Sequence, residues 1–161
     1  MEVALKTTSG YSGIQISLHW LVAILIVVAW FTGEGGKAAM KVVEKGGTAG
    51  FVPHVAIGLA ILALVVTRLL LRLGRGTPAA PGEPGSLAVL ASDWGHRLIY
   101  LLMLAVPLGG LCTYFLGLDV GDLHELGANV LMVVILGHAL MALYHQYVLK
   151  DGVLSRMMRP E

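Results

Sequence analysis

Charged side chains are scarce in this sequence: only 13% of its 161 residues are Asp, Glu, Lys or Arg, against about 25% in an ordinary soluble domain. Too few remain to cover a folded surface in water, while 57% of the chain is hydrophobic. A soluble globular domain is therefore excluded, and lipid must be part of the solvent. The net charge of +1 provides no basic field, so nucleic acid is not an expected partner. Cysteine occurs once, at Cys112. That rules out an intrachain disulfide, a Cys-x-x-Cys metal or redox centre, and the Cys-x-x-Cys-His attachment of c-type haem. Cys112 lies inside an apolar run and reads as a small buried hydrophobe.

What the sequence does have is long apolar runs. A helix needs about 20 apolar residues to cross a bilayer, and four runs reach that size: Gln15 to Gly33, Val52 to Leu73, Trp94 to Gly117 and Leu123 to Leu149. The expected fold is therefore all-α, an integral membrane four-helix bundle forming a single domain over residues 1–161. Each run has a start signal. Ser12 with Gln15 has capping-box spacing, Pro53 suits a first turn, Ser92 or Asp93 can cap the third helix, and Asp122 with Glu125 offers a box for the fourth. Pro107 is expected to kink the third helix. The first run has no small-x-small site beside its apolar core, so it is read as a retained span and not a cleaved signal.

Basic residues orient the bundle. With the N-terminus inside, the inner side holds Lys6, Arg68, Arg72, Arg75, Arg97, Lys150, Arg156 and Arg159, and the outer side only Lys37, Lys41 and Lys45. This asymmetry places both termini in the cytoplasm, with the chain crossing the membrane several times. Gly74 to Ser86 is a Pro/Gly linker on the inner side. The outer segment with its three lysines reads as a solvated loop in preference to a short interfacial helix with a basic stripe.

Six histidines occur, at positions 19, 54, 96, 124, 138 and 145, each within or at the end of a span. Ionisable groups at membrane depth are costly and usually face the bundle interior, where they act. From His124 to His138 is fourteen steps, about 21 Å of helical rise and about 40° short of four full revolutions. Both rings leave the same helix face at two depths. That suits one axial ligand for each of two stacked haems, because neutral imidazole binds iron well. Depth and helix direction pair His54 with His124 at the outer side and His19 with His138 at the inner side. His145 in place of His138 would set the inner iron at the lipid headgroups, so His138 is preferred. His96 and His145 are left over, and quinone binding or proton delivery competes there with simple interfacial residence; Arg97 joins them as a quinone candidate.

Haem propionates need cations, and Arg68, deepest in its helix, is the first choice, with Arg72 next. Gly58, Gly127 and Gly137 lie near the expected ligands, where a missing side chain would admit a flat ring or let helices pack closely.

The segments Ile16-Ser17-Leu18-His19-Trp20-Leu21, Pro53-His54-Val55-Ala56-Ile57-Gly58 running to Thr67-Arg68, Gly95-His96-Arg97-Leu98-Ile99-Tyr100, and Leu123-His124-Glu125 through His138 to Tyr144-His145-Gln146-Tyr147 resemble the bacterial cytochrome b561 family in order and spacing. The resemblance covers nearly the entire chain. It implies a membrane electron carrier with two haem b groups, ligated by His19 with His138 and by His54 with His124. It also implies ubiquinone as acceptor near the inner haem, and, among the short members, superoxide as donor. The connection from Leu118 to Asp122 is shorter than the family pattern, so guiding elements carried there by the short members have no counterpart. The function expected is electron transfer between a periplasmic donor, such as superoxide, and membrane quinone, the protein being either a superoxide:quinone oxidoreductase or an electron carrier. No catalytic residue is assigned. Two other readings stay open: a cytochrome b subunit that docks a separate periplasmic oxidoreductase, and a haem-free proton or metal transporter using the histidines as a relay.

Overall fold

A computed structural model describes residue 8 and residues 10–160; Lys6, counted above for orientation, lies outside them. Five α-helices follow in order: α1 (Gly13–Phe31), α2 (Gly33–Glu44), α3 (Pro53–Arg75), α4 (Leu87–Leu116) and α5 (Gly121–Tyr144). A π turn (His145–Leu149) and a 3-10 turn (Leu154–Met157) close the chain. Helices α1, α3, α4, and α5 with its π turn are long and apolar enough to cross a membrane.

The start of α1 follows the sequence. Ser12 accepts from the Gln15 backbone N–H, and the Gln15 side chain accepts from the Ser12 N–H, satisfying donors that a helix start leaves unpaired. Pro53 occupies the first turn of α3. Three expectations are corrected. Helix α4 starts at Leu87, capped by Ser86, which accepts from the Val89 N–H, so Ser92 and Asp93 lie inside it. The linker's last serine reaches the backbone first, and the apolar run needs no cap of its own. Helix α5 begins behind Val120 with no side-chain cap, because Glu125 is drawn instead to Lys37 across the bundle end. The outer segment that bears Lys37 and Lys41 is the helix α2 and not a loop, with Lys45 just past its end and its polar and apolar positions falling on opposite faces. Helix α4 runs through Pro107, which is itself buried.

The core is a thin strip. Val22 and Ile26 of α1, Ile61 and Val65 of α3, Met103 of α4 and Leu131 of α5 are the buried hydrophobic side chains. Large apolar residues elsewhere face outward, such as Phe31, Leu101 and Val133, as a lipid-facing surface requires.

A seven-residue register organises the interior. Positions 19 and 26 on α1, 54, 61 and 68 on α3, 96, 103 and 110 on α4, and 124, 131 and 138 on α5 mark three levels, each step rising about 10.5 Å. The middle level is Ile26, Ile61, Met103 and Leu131, all buried. Polar rings lie above and below it. One end of the bundle, called the termini end, carries the start of α1, the C-terminal turns and the 76–86 linker, and the other carries α2.

Candidate functional site: two histidine layers

At the α2 end, the His54 and His124 rings face each other with centroids 5.9 Å apart. The His54 Nδ1–H donates to the Ala29 carbonyl at 2.9 Å, with Thr32 Oγ1 a second acceptor at 3.3 Å. Ala29 is in the last turn of α1, where carbonyls lack a full set of helical partners. The His124 Nδ1–H donates to the Val106 carbonyl at 2.8 Å. A carbonyl can only accept, so both rings carry a proton on Nδ1, and in the neutral ring Nε2 is then bare. That is the tautomer a metal-bound histidine needs, its other nitrogen fixed by a second partner.

Two glycines make room. A Cβ on Gly110 would stand 2.8 Å from His124 Cε1, and a Cβ on Gly36 would stand 2.8 Å from His54 Cδ2. The glycines singled out from sequence do otherwise: Gly58 and Gly137 face open space, and a Cβ on Gly127 would stand 3.0 Å from Val106 Cγ2. Gly110 was findable from its fourteen-residue spacing to His96 on α4; Gly36 had no such signal, because it lies on a helix the sequence reading treated as a loop.

At the termini end, His19 and His138 have centroids 6.4 Å apart. His96, left over in the sequence reading, stands against His138 at 5.2 Å, while its own Nδ1–H donates to the Ser92 carbonyl one turn earlier at 2.7 Å. Arg68 reaches the same layer, and its NH2 group donates to His19 Nδ1 at 3.2 Å. The other expected residues lie apart. Arg72 rests over the Tyr100 ring, 5.7 Å from its centroid, and Arg97 over Trp94 at 5.0 Å. His145 pairs with Asp151. Among the described residues no hydrogen bond, ion pair or ring contact joins His145 to His96 or Arg97.

Helix α2 is fastened over the first layer. Lys37 Nζ lies 2.7 Å from Glu125 of α5 and 3.4 Å from Glu34, and the Glu125 hydrogen bond raises its amine above the ordinary lysine value. The Trp30 indole N–H donates to Asn129 Oδ1 at 3.3 Å, joining α1 to α5. A cavity of about 530 Å³ opens beside His54, lined among others by Ala38, Val42, Phe51 and Pro53. Lys41 and Lys45 are exposed on the same side.

Could these layers hold haem? Two imidazoles on opposite sides of one ion, each nitrogen about 2.0–2.1 Å from it, have centroids about 6 Å apart. His54 with His124 and His19 with His138 match that separation, whereas 5.2 Å for His96 with His138 is too short. Among the described residues no group of three or more His, Cys, Asp or Glu side chains is arranged to hold a bare metal ion. The pairs fit a flat iron cofactor between helices.

The prokaryotic cytochrome b561 family matches residues 10–160. The chain belongs to that family. It is similar to cytochrome b562 of Cereibacter sphaeroides, 40% identical over 155 residues that cover 94% of this chain and 96% of the relative. It is also similar to the probable superoxide oxidase CybB of Yersinia pestis, 35% identical, covering 92% and 95% of the two chains, and to cytochrome b561 homolog 1 of Escherichia coli, 27% identical, covering 92% and 96%. The protein is thus a membrane electron-transfer cytochrome of the b type, for which haem b is the implied cofactor.

Proposed function

We propose that this cytochrome holds two haem b groups, one between His54 and His124 and the other between His19 and His138, and moves electrons from a periplasmic donor to quinone in the bacterial inner membrane. The observation that carries the reading is the pair of ring separations, 5.9 and 6.4 Å, at two levels of one bundle. Bound there, each haem supplies a one-electron ferric/ferrous couple with no free iron position.

The chain's own residues do the rest. The Ala29 and Val106 carbonyls hold the two α2-end rings in the ligating tautomer. At the termini end His19 would need its proton on Nδ1 for Nε2 to ligate, and Arg68, which now donates to Nδ1, would be the cation for a haem carboxylate. Arg72, one turn further along, can serve the same carboxylates only by leaving Tyr100. The excess of Arg on the termini face supports a cytoplasmic position for that face and for both termini. Quinone then meets the protein on the cytoplasmic side, with His96, His145 and Arg97 as the candidate contacts. On the periplasmic side, superoxide is the donor that the similarity to CybB suggests.

Purified protein in nanodiscs tests this directly. A reduced b-type absorption band is expected, with haem reduced by superoxide and reoxidised by ubiquinone, and His54→Ala is expected to remove about half of the haem and abolish superoxide-driven turnover. Colourless protein overturns the haem reading and would favour a transporter. Inertness toward superoxide alongside a co-purifying dehydrogenase would make the chain a docking subunit instead.

A further inference from the structure

The fourth membrane helix does not end as a plain α-helix. From His145 to Leu149 the backbone opens into a single π turn, and Lys150 then adopts φ 55°, ψ 32°, a left-handed conformation that side chains with a Cβ disfavour. Gly152 follows at φ 77°. π turns in helices frequently occur at functional sites, and a strained backbone persists only where its surroundings hold it. Here the outcome of both is one contact. The chain reverses so that Asp151 Oδ2 meets His145 Nδ1 at 2.5 Å, while the other carboxylate oxygen accepts from the Val153 N–H at 3.2 Å. The two side chains are only 22% and 25% exposed.

The surrounding segment is tied down. Arg156 donates to the Ala79 carbonyl of the linker at 2.9 Å, and the Trp20 indole N–H donates to the Met157 carbonyl at 2.9 Å. The charged and titratable groups around His145 are Asp151, Arg156, whose charge acts on Asp151, and Tyr144 at 6.3 Å between ring centroids. Burial would raise the Asp151 carboxyl, but the hydrogen bonds from His145 and Val153 outweigh it and hold it below the ordinary carboxylate range. The sign follows: Asp151 stays charged at neutral pH, and the pair is lost as pH falls through that depressed value.

A carboxylate on Nδ1–H fixes which ring nitrogen is free and stabilises the imidazolium when the ring takes a second proton. We propose that Asp151 is a positioning residue that holds His145, through Nδ1, as the proton donor to quinone on the cytoplasmic face. The inference rests on the quinone reading above and adds to it the source of the protons. Reduction of a quinone to its quinol takes two electrons, which the cytochrome supplies, and two protons. In each protonation the His145 Nε2–H bond breaks and an O–H bond forms on a quinone oxygen. The neutral ring then retakes a proton from cytoplasmic water, and Asp151 stays ionised throughout.

The test uses haem-loaded protein in nanodiscs with decylubiquinone, following haem reoxidation from pH 5.5 to 9 and, separately, quinone affinity of the oxidised protein by equilibrium dialysis. For Asp151→Asn the rate at pH 7.5 is expected to fall about tenfold, and the alkaline limb of the profile to move about one unit toward acid. Quinone affinity and the haem spectrum should stay unchanged, and Asp151→Glu should restore part of the rate. A uniform loss with the limb unmoved, or a profile that overlays the unmodified protein, overturns the inference while leaving the quinone reading intact. Unmodified protein whose haem no quinone reoxidises overturns both. A second measurement needs no variant: with carboxyl-labelled Asp, the redox-difference infrared spectrum of the unmodified protein should show a carboxylate band shifting on quinone reduction, and a silent carboxylate region counts against the proposal.

Discussion

The two ends of the bundle solve the same problem by different means. At the α2 end both rings are held by main-chain carbonyls, Ala29 for His54 and Val106 for His124. At the termini end, among the described residues, no carbonyl holds His19; Arg68 does, and it binds the ring on Nδ1, the nitrogen that would carry the proton if Nε2 ligated. A carbonyl within a helix cannot turn away, whereas an arginine on four flexible bonds can. On the two-haem proposal, the α2 end is therefore built in advance, and the termini end would be completed by its charged ligand. The crowding differs in the same sense. Gly36 and Gly110 press against the α2-end rings, while the termini layer has a third ring, His96, packed within it.

The sharpest way to break the comparison is to remove one ring from the termini layer. His19→Ala is expected to halve the haem content, and His96→Ala to leave both haems in place, since only the 6.4 Å pair has the separation that ligation from opposite sides requires. Pyridine haemochrome assay per mole of protein measures both. A loss of haem in His96→Ala with retention in His19→Ala would exchange the two roles and make the contact of His96 with His138 the functional one.

Filling a glycine comes next in size. Gly110→Ala places a methyl 2.8 Å from the His124 ring, and overpacking of that kind typically costs about 1–3 kcal/mol, enough to weaken haem retention at the α2 end about fivefold or more. Gly58→Ala faces open space and is the matched control. Slow haem loss to apomyoglobin reads the difference. Equal loss rates in the two variants would mean that the carbonyl bonds alone hold the ring.

Most of this architecture was legible in residue spacing because lipid demands apolar runs of fixed length and the helix repeats every 3.6 residues. Four spans, the Ser12 capping box and both pairs of facing rings follow from that. The same arithmetic contained the place of His96, since 96, 103 and 110 share the register of 124, 131 and 138, yet only α5 was read that way. What spacing could not reveal were features set by partners distant in sequence. Glu125 leaves its own helix start for Lys37, Arg68 chooses a ring before a carboxylate, and Asp151 returns to His145 only because Lys150 turns left-handed. Helix α2 escaped for another reason: twelve residues with three glycines have little helical preference of their own, and its fold is fixed by packing against α3 and by the Lys37 bridge.

That bridge also sorts the three lysines, and it yields the smallest effect. If superoxide is drawn to the α2 end by charge, the useful charges are those not already neutralised by a carboxylate. Lys37 faces both Glu34 and Glu125, whereas Lys41 and Lys45 stand exposed on α2 and just beyond it. Replacing Lys41 and Lys45 together by Ala should slow superoxide-driven haem reduction about twofold to threefold at low ionic strength and flatten its salt dependence, because an exposed charge acts over about 10 Å in 0.1 M salt and little beyond. Lys37→Ala should change the rate less, and in the same direction, since it also frees Glu125 to repel the anion. Stopped-flow haem reduction at several salt concentrations separates the cases. If the double variant keeps the unmodified protein's rate and salt slope, superoxide reaches this end without help from charge, and the apolar cavity beside His54 becomes the feature of the α2 end that shapes access to it.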